Sequence, residues 1–148
     1  MRKAIFAFIL AALSVSVFSQ SSGTGVGVIL GEPTGLTAKM WTSRTTAIDA
    51  AAAWSLQGNG YIHFHVDALV HSFTMIDVDS GKLPLYMGLG ARVLLAEDPA
   101  IGVRVPFGIA YHLHSAPFEI FFEVAPILDL LPGTGFDMNS ALGLRYYL

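Results

Sequence analysis

The chain has no cysteine. That excludes a disulfide framework and, with no cysteine after an N-terminal apolar segment, a lipoprotein anchor. Charge is scarce as well. Only 13% of the residues are Asp, Glu, Lys or Arg, about half the share of an ordinary soluble domain, roughly 25%. Beyond the N-terminus no stretch reaches the ~18 consecutive apolar residues of a spanning helix. Lys and Arg number eight and form no patch, which argues against nucleic acid as a partner.

What the chain has is hydrophobicity. Apolar residues make up 53% of it, and its mean hydropathy is +0.59. High hydropathy without a spanning helix leaves the closed β-barrel, the other structure that satisfies its backbone inside lipid. Its 148 residues suffice for one domain with its own core.

Residues 1–19 read as a secretory signal peptide. Arg2 and Lys3 form a basic start, residues 5–13 an apolar run, and Val17-Phe18-Ser19 a cleavage site before Gln20. Loss of the two basic residues leaves six basic against eleven acidic side chains in residues 20–148, the predicted barrel domain.

From Gly25 onward the sequence alternates. Side chains along a strand point to opposite faces in turn, and the charges keep to one parity. Lys39, Asp49, Asp67, Arg92, Arg104, Glu119, Glu123 and Arg145 share it with His63 and His65. The other parity carries runs such as Leu83, Leu85, Met87, Leu89, Ala91, Val93 and Leu95. Eight strands are expected, at 24–30, 35–42, 46–56, 61–71, 83–95, 101–113, 118–128 and 138–148, separated by Pro- and Gly-containing turns. Short links suit an antiparallel up-and-down barrel. The link 72–82 is the exception in length.

A soluble barrel and a membrane barrel share this alternation. The charged parity distinguishes them, because it also holds Gly25, Gly27, Ala51, Ala53, Gly88, Gly90, Gly102, Gly108, Ala110, Ala125, Ala141 and Gly143. Small residues beside a few large polar ones suit the narrow inside of an eight-stranded barrel. The inward charges balance, four basic against four acidic. Buried charges need partners, so the balance predicts a lumen filled by ion pairs. Trp54, Tyr61, Tyr86, Tyr111, Tyr146 and Tyr147 lie toward strand ends, and those pointing outward would join the aromatic girdles of such barrels. With both termini periplasmic, the outer loops would hold Glu32, Glu97, Asp98, Asp129 and Asp137, and the periplasmic turns Arg44, Lys82, Asp77 and Asp79.

Two features resemble known proteins. Leu142, Leu144, Tyr146 and Leu148 share the outward parity and resemble the C-terminal strand that the outer-membrane barrel assembly machinery recognises, with Leu148 in place of the usual aromatic residue. The segment 20–148 resembles the small eight-stranded barrels related to the OmpA transmembrane domain and OmpX. The string 27–36 (GVILGEPTGL), Gly102-Val103-Arg104-Val105-Pro106 and Glu123-Val124-Ala125-Pro126 are similar to a family of uncharacterised barrels of spirochaetes and other diderm bacteria. That resemblance implies a porin-like protein of the bacterial outer membrane, with host complement regulators as ligands of some relatives. It brings no catalytic residues.

Other constellations read blandly. His63, His65 and Asp67 offer two imidazoles and a carboxylate spaced by two, but no third strong ligand is placed by sequence, so they read as lumen hydrogen-bonders beside Arg92 and Glu123. His112, His114, Ser115 and Glu119 contain the groups of a barrel lipid hydrolase, with Ser115 at the wrong parity and spacing. Asp77 and Asp79 lack the glycine and distal Glu of a calcium loop. The expectation is a monomeric outer-membrane barrel surrounded by lipid, with a structural or surface-exposed role, no cofactor, no metal and no catalysis. A narrow porin, a surface ligand-binding protein and a membrane-embedded hydrolase are the alternatives.

Overall fold

The computed structural model describes residues 23–32, 34–55 and 60–148. The predicted signal segment lies outside the described residues. Nine strands and no helix occur among them: β1 (Thr24–Glu32), β2 (Thr34–Trp41), β3 (Thr46–Ser55), β4 (Tyr61–Ser72), β5 (Leu85–Leu95), β6 (Ala100–Arg104), β7 (Phe107–His112), β8 (Phe118–Leu131) and β9 (Gly135–Tyr147). Every pairing is antiparallel, and eight of the strands close into a ring when β1 pairs with β9 and β4 with β5.

One predicted strand, 101–113, is two. β6 and β7 share both neighbours, β5 and β8. The break falls at Val105-Pro106. Proline has no N–H to give the ladder, yet its carbonyl still accepts from Gly88 N at 3.0 Å, and Val105 N donates to Pro126 O at 3.0 Å. The alternation runs through the break without a slip, with Arg104, Pro106 and Ala110 all buried.

Three acids expected in loops lie on strands at one end of the ring. β8 runs to Leu131 and β9 starts at Gly135, so Asp129 and Asp137 stand on strands, not in loops. Glu32 likewise belongs to β1. The Pro132-Gly133 turn is real, but the ladder holds up to its foot, pairing Asp129 with Gly135. The long link leaves β4 after Ser72 and bridges β7 through Lys82 and His112, whose backbone groups bond each other at 3.0 and 2.8 Å.

The outside of the ring is apolar and the inside is not. Leu36, Ile48, Val66, Leu89, Ile101, Ile120 and Leu144, one on almost every strand, are each exposed by about two-fifths or more. The largest fully buried side chains begin with Arg92, Arg104, Arg145 and Lys39. Small residues make room for them and for the inward rings. A Cβ at Gly143 would meet the Phe121 ring, and one at Gly90 would meet the Asp67 carboxylate.

Candidate functional site

The period of two aims each sequence-predicted lumen residue into the ring, and all ten of them are buried there: Lys39, Asp49, His63, His65, Asp67, Arg92, Arg104, Glu119, Glu123 and Arg145. They sort into three clusters along the axis.

The first surrounds Glu119, toward the start of β1 and the end of β9. Its Oε1 accepts from Arg145 at 2.7 Å, and its Oε2 accepts from Lys39 Nζ at 3.2 Å and Tyr147 OH at 3.0 Å. His112 Nε2 lies 2.7 Å from the same Oε2. Lys39 sits opposite Asp49 in the β2–β3 register but turns across the ring to Glu119. Its ammonium also lies 2.8 Å from His71 Nε2 and 4.5 Å from the centre of the Trp41 ring. Phe73, from the long link, contacts the rings of Trp41, His71 and His112, which come from three different strands. The link thus spans this end of the ring.

The second cluster lies at mid-height. Asp49 and Asp67 face each other in the β3–β4 register. Like charges in that position repel, and each is met by an arginine. Arg145 donates to Asp49 Oδ2 at 3.0 Å and to Thr37 Oγ1 at 2.9 Å. Arg104 Nε lies 2.9 Å from both Asp67 oxygens, with bonding geometry to Oδ2 alone. Arg104 also donates to Glu123 at 2.7 Å, and Tyr86 OH donates to the other Glu123 oxygen at 3.0 Å. His63 and His65 stand edge to face, with Nε2 of the first 2.9 Å from Nδ1 of the second. A cavity of about 20 Å³ touches Asp49, His63, His65, Arg104, Glu123 and Arg145, room for about one water molecule.

The third cluster is Arg92 with Asp129, at 2.7 Å, and Asp137, at 2.8 Å. This changes the charge count. Arg92 is matched by two aspartates at the rim, so three inner bases, Lys39, Arg104 and Arg145, face four acids, Asp49, Asp67, Glu119 and Glu123. The four-against-four balance expected from sequence does not describe the pairing.

Several partners escape a sequence reading. Tyr86 and Tyr147 turn inward as hydrogen-bond donors instead of joining an outer girdle, whereas Trp54 and Tyr146 point out. Inward parity marks Tyr86, Tyr147 and also Phe121, whose ring lies 4.0 Å from the Arg145 guanidinium carbon. Leu142, Leu144, Tyr146 and Leu148 all face outward. His112 approaches Glu119, while Ser115 is exposed in the turn between β7 and β8. Asp77 and Asp79 are exposed in the long link.

Comparison with protein-family models, curated proteins and solved structures finds no match. The chain's own geometry therefore carries the functional reading.

Proposed function

We propose that the chain is an eight-stranded β-barrel of the bacterial outer membrane, with a lumen filled by its ion-pair network and a structural or surface-exposed role without catalysis. One observation carries this reading: the ring is inside out relative to a water-soluble one. Buried arginines and carboxylates fill it, while its outer side chains are large and apolar on every side. Water favours the reverse arrangement, and large contiguous apolar surfaces mark a membrane or a partner. Strands β4, β8 and β9, at 12 to 14 residues, exceed the roughly 9–11 residues needed to cross a bilayer.

The interior supports a plug over a pore. Guanidinium groups reach across it to carboxylates on other strands, and the mid-height void is about 20 Å³. In this reading the signal segment directs export, the outward C-terminal residues engage the assembly machinery, and the monomer is complete because its sheet has no free edge.

The test is gel mobility in dodecyl sulfate of protein refolded in detergent, with and without boiling. The unboiled protein is expected to migrate apart from the boiled one. Protein that is monomeric and soluble without detergent contradicts the membrane reading.

A further inference from the structure

Of the three metal-type residues that sequence spacing sets on β4, His63, His65 and Asp67, the last two approach a common point, and the fold supplies a third ligand there. The β3–β4 register sets Asp49 directly opposite Asp67, and one ligand atom from each of Asp49, His65 and Asp67 falls within 4.8 Å of the others. We propose that these three residues bind a divalent transition-metal ion of the zinc class, with a water molecule from the adjoining cavity completing its coordination.

Four observations support this. Asp49 Oδ1 is buried and accepts no hydrogen bond, on a side chain 2% exposed. An unpartnered buried carboxylate oxygen is costly, and a bound cation removes the cost. Each ligand is also held from behind. Arg145 takes the other oxygen of Asp49, Arg104 Nε lies 2.9 Å from both oxygens of Asp67, and His63 Nε2 meets His65 Nδ1 at 2.9 Å. If the proton of that contact sits on His65 Nδ1, His65 Nε2 is left bare as a ligand, the arrangement by which outer groups orient metal-bound histidines. The water-sized cavity touches Asp49 and His65, and zinc sites with three protein ligands keep such an open position. Finally, the inner acids outnumber the inner bases once Arg92 is matched at the rim, so the cluster carries excess negative charge where bulk water does not reach.

One imidazole and two carboxylates suit zinc and its neighbours over calcium or magnesium, which take oxygen ligands and more of them. Gly90 belongs to the site as its wall, since only a residue without Cβ leaves space for the Asp67 carboxylate. The site requires the ring alone and is independent of whether the outer face meets lipid.

The test is metal content. The full chain is refolded in detergent with Zn²⁺ present, desalted and assayed for bound metal, then refolded with Co²⁺ for a visible spectrum. The expected result is one tightly held ion per chain and ligand-field bands of cobalt with nitrogen and oxygen donors. Asp49→Asn and His65→Gln, two uncharged polar replacements on different strands, should each lose the ion while keeping β-sheet circular dichroism. His63→Gln should weaken binding by about 10- to 100-fold. Exposed His114→Gln should bind as the unaltered chain does. Absence of both retained zinc and cobalt bands in the unaltered chain overturns the proposal, as does equal binding by folded Asp49→Asn and His65→Gln.

Discussion

Glu119 and Arg145 face each other across the β8–β9 ladder, 2.7 Å apart, and neither reaches solvent. Glu119 is also the acceptor for Lys39 and Tyr147, so one carboxylate joins β2, β8 and β9 across the closure of the ring. Removing one partner of a buried pair strands the other charge. Glu119→Ala is therefore expected to cost about 3–5 kcal/mol of unfolding free energy, read from urea titrations followed by circular dichroism. A loss below ~1 kcal/mol would show that the network contributes little.

The rim pair should behave differently. Asp137 also bonds Arg92, but about half of its side chain is exposed and Arg92 keeps Asp129. Solvent screening holds such pairs to about 0–1 kcal/mol. Asp137→Asn should therefore shift the same transition far less than Glu119→Ala does. Equal shifts would place the two pairs in the same environment.

Packing of Phe121 gives a third prediction. Its ring occupies the space that a Cβ at Gly143 needs, on the strand opposite in register. Gly143→Ala should cost about 1–3 kcal/mol, the range for overpacked interiors. Adding Phe121→Leu should restore part of that loss, because residues in contact do not act additively. Additive losses in the double variant would mean that the two positions do not share this space.

The outer face is tested by a charge. Val66 sits mid-way along β4 with its side chain outward. On a lipid-facing surface Val66→Arg should cost about 2–4 kcal/mol, measured on protein folded into vesicles. On a water-facing surface the same change stays within about 0.5 kcal/mol.

How much of this was legible in the sequence follows from the physics of strands. Parity alone assigns Lys39, Asp49 and Arg145 to the inside, because period two is a property of every strand. It does not assign partners. Lys39 stands beside Asp49 in register yet bonds Glu119 across the ring, and the path across depends on how the sheet closes. Asp129 and Asp137 looked like loop residues because Pro132 and Gly133 punctuate the chain nearby. The ladder nevertheless continues to the base of that turn, where Arg92 meets both carboxylates. The proximity of Asp49 to His65 and Asp67 is likewise a product of register between strands, which no spacing within one strand encodes.

The central claim is that the outer face meets hydrocarbon while the charges lie inside. Its most direct measurement uses a single tryptophan at the middle of the belt, Val66→Trp in a chain carrying Trp41→Phe and Trp54→Phe, folded into vesicles whose acyl chains are brominated at mid-depth. The account predicts strong quenching by the brominated lipid and little by aqueous acrylamide. Efficient quenching by acrylamide with none by the lipid would contradict it.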